Sequence, residues 1–400
     1  MNGFDLLLLA FKGIAIASLP IALIWVGRAP ASGGDRLRRL AVVTAFLTFD
    51  LIVFGGFTRL TDSGLGCPDW PGCYAKANPF MAAHDIRDAE SIMPYGPVSM
   101  GKAWIEMIHR YLAMAVGVLI IAMLAISVRR GWALRRDGAG KPAYPALALS
   151  LLGLVVLQGA FGAWTVTQKL QPIFVSVHLL LGMSLLGMLV WHALLLGHGS
   201  GAPRERTRDA VLHGPGMRVF AGLALFVLIL QIALGGWVSA NYAVLACTDF
   251  PTCQGVWVPR MDFSDGFHLW RELGRAADGS YLSVAALTAI HWTHRSFAGV
   301  VFVVLGLLAW WLRSAAGLAR PAAVLAALLV AQCLTGLVNV VFAWPLVAAV
   351  LHNAGAAALL TTLVVINYRL PGRSQATRLS DTSPSAALTS RMSKLGRTAG

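Results

Sequence analysis

The chain has 400 residues, 57% hydrophobic and only 12% charged, with a formal net charge of +14. A water-soluble domain carries about twice that charged fraction, so the composition excludes a soluble enzyme and points to a bilayer. The alternating pattern of a membrane β-barrel is absent. Backbone in lipid must satisfy its own hydrogen bonds, which makes helices the expected element.

Apolar runs near the ~20 residues needed to cross a membrane occur at 5–27, 38–57, 104–128, 146–167, 172–197, 217–240, 285–312, 320–341 and 346–368. They predict an all-α polytopic membrane protein with nine spans. The first run lacks the basic start and small-residue cleavage site of a signal peptide. It contains Lys12, whose ammonium is expected to snorkel outward.

The second span ends in FGGFTRLTDSGLGCPDWPGC, residues 54–73, and the sixth in LGGWVSANYAVLACTDFPTC, residues 234–253. Shifted by 180, Gly55, Gly56, Leu65, Cys67, Asp69, Pro71 and Cys73 fall on Gly235, Gly236, Leu245, Cys247, Asp249, Pro251 and Cys253. The third span carries IEMIHRYLA and the seventh HWTHRSFAG, which align His109 with His294. At a shift of 174, Gln158, Gly162 and His178 fall on Gln332, Gly336 and His352. Internal repeats are a recurrent device of membrane folds. The pattern predicts two tandem four-helix bundles, 38–198 and 217–368, behind an extra helix and its connection (1–37). A linker (199–216) joins them, and a disordered tail (369–400), rich in Ser, Thr, Arg and Ala, ends the chain.

Charge orients this arrangement. One set of alternating connections holds 21 Lys and Arg, and the set carrying the cysteine loops holds 8. By the positive-inside bias, the cysteine loops face outward, and the linker and C-terminus face the cytoplasm of a bacterial plasma membrane. The basic charge is thereby accounted for without nucleic acid, leaving lipid as the bulk partner.

Of ten histidines, His84, His192, His198, His213 and His268 read as surface residues. His109, His178, His294 and His352 lie within spans near their outward ends, where an ionisable residue marks function by default. Two imidazoles on neighbouring helices suit a haem iron ligated from both faces; another metal, or helix-packing hydrogen bonds, are the competing readings. The pairs are His109 with His178 and His294 with His352, and Gln158 and Gln332 sit on the intervening helices. Arg59, Arg110 and Arg295 are candidate partners for haem propionates or, equally, for lipid headgroups. The halves differ one turn before the first histidine, with Glu106 in one and His291 in the other. Glu106 shares a helix face with His109 and reads as a proton-moving catalytic group, or else as a carboxylate paired with an arginine. Cys67/Cys73 and Cys247/Cys253 suit a disulfide within each loop, as a staple or for redox exchange. Cys333 reads as a small buried hydrophobe.

GG-x-TRLT-x-SGL in the first loop and IEMIHR after it resemble the haem A synthase family, and the resemblance covers about residues 40–368. It implies that the first half takes haem O as substrate and the second holds haem B as an iron cofactor. A ring methyl would be oxidised to a formyl group through two hydroxylations and loss of water. The resemblance carries over Glu106, His109, His178, His294, His352 and the four loop cysteines. It also implies haem O synthase and an electron donor as partners, supply of haem A to terminal oxidase assembly, and room for a homo-oligomer. The extra first helix departs from the family's eight-span core. A di-haem quinol-linked electron carrier and a haem transporter or chaperone remain as rival classes.

Overall fold

The computed structural model describes residues 1–26, 33–137, 143–198, 215–315 and 317–370. The linker at 199–214 and the tail from 371 onward lie outside the described residues. The described residues form helices α1 (Gly3–Val26), α2 (Gly33–Leu60), α3 (Ala83–Ile92), α4 (Met100–Asp137), α5 (Pro145–Thr167), α6 (Pro172–His198), α7 (Pro215–Ala240), α8 (Phe263–Gly266), α9 (Val284–Leu312), α10 (Ala319–Val341) and α11 (Leu346–Arg369). Nine of the described helices are long and apolar enough to cross a membrane, and the chain is an integral membrane protein.

Local chemistry sets the helix ends. Pro145, Pro172 and Pro215 open α5, α6 and α7, where the missing N–H costs nothing. The Ser283 side chain caps α9 by accepting the Ala286 N–H at 3.1 Å. The third span runs beyond its apolar stretch, because α4 continues through Arg129, Arg130, Arg135 and Arg136 to Asp137. The short helices α3 and α8 lie in the connections that follow the two cysteine loops.

α2, α4, α5 and α6 pack around one another, as do α7, α9, α10 and α11, while α1 lies on α4. The two sets meet through α2 against α11 and α6 against α7, with α6 also touching α11. These contacts recur at the repeat offsets. Gly56 of α2 abuts Asn353 of α11, and Gly236 of α7 abuts Leu179 of α6. Asn353 also donates to the Ile52 carbonyl at 3.1 Å. At the cysteine-loop face, residues 180 apart touch: Arg59 donates to the Ser239 carbonyl (2.5 Å), and the Tyr242 hydroxyl donates to Asp62 (2.6 Å). The Arg59 guanidinium lies 3.8 Å from the Tyr242 ring centre. Positions matched by the sequence offset of 180 therefore meet where the ends of α2 and α7 come together.

Large side chains such as Leu7 (73% exposed) and Val219 (70%) point away from the protein, as expected where lipid replaces water and offers no penalty to apolar surface. Two readings of single residues need correction. His192, expected at the surface, is fully buried on α6 beside the Tyr144 ring. Cys333, expected to be buried, is exposed on α10. For both, the helix was correctly placed, but its rotation depends on neighbours too distant in sequence to read.

Candidate functional site

The four histidines of interest come together in two pairs. His109 (α4) lies within electrostatic reach of His178 (α6), and His294 (α9) of His352 (α11). Each ring is half-buried and rests against a glycine of the preceding span. A Cβ at Gly55 would stand 3.0 Å from His109 Nε2. At Gly162 it would stand 3.0 Å from His178 Cε1, at Gly235 3.0 Å from His294 Cε1, and at Gly336 3.2 Å from His352 Cε1. Glycine is required here by close approach: it makes room for an imidazole between two helices. This explains why Gly55/Gly235 and Gly162/Gly336 keep step with the histidines in sequence.

Ring nitrogens are fixed by the helices behind them. His178 Nδ1 donates to the Gln158 carbonyl at 3.1 Å. His352 Nδ1 lies 3.0 Å from the Thr335 hydroxyl. That hydroxyl gives its own proton to the Ala331 or Gln332 carbonyl, so it accepts from the imidazole. In both cases Nδ1 carries the proton and Nε2 has the lone pair, the form in which an imidazole ligates a metal; in His178 that lone pair is met by the Gln158 side-chain amide at 3.4 Å. Gln332 donates to the His352 carbonyl at 2.9 Å. Gln231 of α7 donates to the His294 carbonyl and lies 3.2 Å from Nδ1 of that ring. His109 instead stacks on Phe54, with ring centres 6.3 Å apart. Gln231 escaped sequence reasoning because Leu51 occupies the equivalent place in the first half. The side-chain Oε1 oxygens of Gln158, Gln231 and Gln332 are buried without partners, so each site keeps polar capacity in reserve. Among the described residues no three His, Cys, Asp or Glu side chains gather into a metal-ion cluster; what the fold supplies is pairs.

The cysteine loops sit directly against these sites and share their main bonds. Cys67–Cys73 and Cys247–Cys253 are disulfide-bonded. After each, the second cysteine forms a two-way backbone bridge, to Lys76 and to Val256. Asp69 accepts the Tyr74 and Ala75 N–H groups at 2.7 and 2.6 Å. Asp249 accepts those of Gln254 and Gly255 at 2.7 and 3.0 Å. The Thr252 hydroxyl and these backbone donors hold the Asp249 carboxyl down at about 2, so it stays an acceptor at any ordinary pH.

The histidine-bearing helices clamp the loops from below. Arg110 donates to the carbonyls of Asp69 (2.9 Å), Pro71 (3.3 Å) and Gly72. Arg295 donates to those of Pro251 (3.4 Å) and Thr252 (3.1 Å). One turn earlier, Glu106 accepts the Cys67 N–H at 2.8 Å. At the matching position, His291 accepts the Cys247 N–H at 3.3 Å through Nδ1. The residues that distinguish the halves in sequence therefore share a task, anchoring the first cysteine of each loop. The difference lies in charge. Glu106 also forms a buried ion pair with Arg110, whereas His291 offers a neutral acceptor. Arg59, Arg110 and Arg295, singled out above for propionates, are all engaged with loop carbonyls or with the opposite half.

This is a helical membrane protein with two sets of packed helices, each holding a pair of histidines within electrostatic reach of one another beneath a disulfide-closed loop. A family model described as cytochrome oxidase assembly protein matches residues 38–364, and the chain belongs to that family. It is 39% identical over 345 residues to the heme A synthase of Shewanella oneidensis, covering 86% of this chain and 99% of that protein. It is 31% identical over 360 residues to the heme A synthase of Caulobacter sp. strain K31, covering 84% and 97%. The heme A synthase of Caulobacter vibrioides is 29% identical over 360 residues, with the same coverage.

Proposed function

We propose that this protein is a haem A synthase, a membrane oxidoreductase that converts the ring methyl of haem O to the formyl group of haem A. The similarity to heme A synthases along nearly their whole length supports this reading. The observation that carries the site assignment is the repeated histidine–glycine pairing. Four glycine-backed rings would fit an iron macrocycle held between each pair: His352 keeps Nε2 free behind a bonded Nδ1, and His178 Nε2 meets only a long 3.4 Å contact from the Gln158 amide, which an iron would displace.

The first half, 38–198, is the substrate half, with His109 and His178 holding haem O. The second half, 217–368, is the cofactor half, with His294 and His352 holding haem B, which supplies one-electron redox chemistry when bound. Thr335, Gln332 and Gln231 orient the second pair. Phe54 stacks on His109 and would hold that ring in place against the substrate. Glu106 lies one turn from His109 on α4 and would supply a carboxylate at the substrate site. Paired with Arg110, it would accept a proton as the methyl group is oxidised. The disulfides act as staples: with the loops closed, Arg110 and Arg295 can seal the outer ends of the two sites.

Pigment analysis tests the reading. Membranes containing this chain should hold haem A when haem O is supplied and none when it is withheld. Haem B alone under both conditions would favour the electron-carrier or transporter class. The charge bias supports an orientation with the cysteine loops outside and the C-terminus in the cytoplasm. After reduction in intact cells, Cys67, Cys73, Cys247 and Cys253 should therefore react with a membrane-impermeant thiol reagent. Labelling that requires permeabilisation would reverse the orientation.

A further inference from the structure

We propose that α1, the helix outside the duplicated core, is a brace for the first cysteine loop and through it a positioning element for Glu106. The brace grips a single residue, Ala77, which is fully buried four positions after Cys73. Asp5 of α1 accepts the Ala77 N–H at 3.1 Å. Lys12, two turns along the same helix face, donates to the Ala77 carbonyl at 3.1 Å and to the Tyr111 hydroxyl at 3.1 Å. Tyr111 of α4 donates to that carbonyl as well, at 2.7 Å. Both polar groups of one loop residue are thus held between α1 and α4. Around them, Leu9 of α1 shares a small core with Cys67, Cys73, Ala77, Met107 and Tyr111, separate from the main core of the bundles. Gly13 lets α1 close against Met114.

The cost of the arrangement shows its purpose. A carboxylate and an ammonium on an otherwise lipid-facing helix are unfavourable unless they are partnered, and a helix serving only as an anchor needs neither. Asp5 is 2% exposed, and Ala77 is the loop residue that it shares with Lys12. From Ala77 the contacts run through neighbouring Lys76 to Cys73, across the disulfide to Cys67, and from the Cys67 N–H to Glu106. The second half has no added helix and arranges the equivalent position differently. Trp257 is 71% exposed, and its carbonyl is met by the indole of Trp292 on α9, at 3.2 Å. Among the described residues, only the half assigned to the substrate is braced from outside the repeat.

The two disulfides provide a test with an internal control. In the purified full chain, each loop's rate of reduction by a water-soluble phosphine is followed by mass-tagged peptide mapping. In Asp5→Ala/Lys12→Met, Cys67–Cys73 should be reduced about tenfold faster or more, as expected for losing two or three hydrogen bonds, and Cys247–Cys253 should be unchanged. Asp5→Asn/Lys12→Arg, which keeps an acceptor and a donor, should restore the slow rate. An unchanged first-loop rate in the Ala/Met variant would overturn the brace. If that variant misfolds and both loops accelerate, Lys12→Met alone must accelerate the first loop selectively, and failure to do so would overturn it equally. The link to turnover rests on the haem A synthase reading: the Ala/Met variant should make haem A more slowly while keeping its haem B spectrum. Selective loosening in a chain that makes no haem A even as wild type would leave the brace standing and remove the functional reading instead.

Discussion

Glu106→Gln is expected to load haem in both halves, to loosen the first cysteine loop and to form no haem A. Glutamine can still accept the Cys67 N–H, but Arg110 is left as a buried cation without its anion. Breaking a buried pair from one side costs about 3–5 kcal/mol. Arg110 keeps its loop carbonyls, so the lower end applies, which corresponds to roughly a hundredfold in loop opening. Loss of turnover alone would not separate a chemical role from an anchoring one. Arg110→Lys makes that separation. It keeps a cation beside Glu106 but gives up the guanidinium fork that spans several carbonyls at once, so it should loosen the loop to a similar degree. If the carboxylate takes a proton from the reacting haem, Arg110→Lys retains turnover within about tenfold of wild type, and Glu106→Gln has none per haem-loaded molecule. Turnover that falls equally in both variants, in step with disulfide reduction, would make Glu106 an anchor only, as His291 is in the second half.

The comparison of Glu106 with His291 shows what the sequence made legible and what it did not. The nine spans were readable because lipid demands long uninterrupted apolar runs, and the repeat because loop and histidine positions share fixed offsets. The glycines were visible as identities, but their reason was not. That Gly55 or Gly336 makes room for an imidazole depends on which helices adjoin, and adjacency is a tertiary fact. Glu106 and His291 looked like a break in the design because side-chain chemistry differs there. In space both accept a cysteine N–H, a shared task hidden behind 39 and 44 residues of sequence separation.

The arginines illustrate the same limit. An arginine beside a candidate haem-ligating histidine suggests a propionate, and nothing in the sequence shows that Arg110 and Arg295 also reach loop carbonyls about forty residues upstream. Lys12 was an anomaly in its span until its partner, Ala77, could be identified 65 residues away. Gln231 carried no signal at all, because the halves differ at that position.

The histidine ligands carry the other large expected effect. His294→Ala or His352→Ala should lower bound haem B by at least about tenfold, since even loss of a group supporting a metal ligand costs 10–100-fold in affinity. His109→Ala or His178→Ala should abolish haem A formation and leave the haem B spectrum in place. Each alanine opens space beside a glycine, so added imidazole should enter the vacated place and restore part of the lost spectrum. A residue that served only helix packing would show no such rescue. The half-specific outcome follows from geometry: each pair is closed by its own bundle, and the links between bundles run through Gly56–Asn353 and Gly236–Leu179, not through the rings.

Extraction and chromatographic analysis of the haems held by these four alanine variants, purified from cells that supply both haem B and haem O, tests the central claim most directly. The assignment of substrate to the first half and cofactor to the second predicts a crossed result. His294→Ala and His352→Ala lose haem B and retain haem O, and His109→Ala and His178→Ala lose haem O and retain haem B. Loss of the same pigment from all four variants, or wild-type content of both pigments in every one, would contradict it.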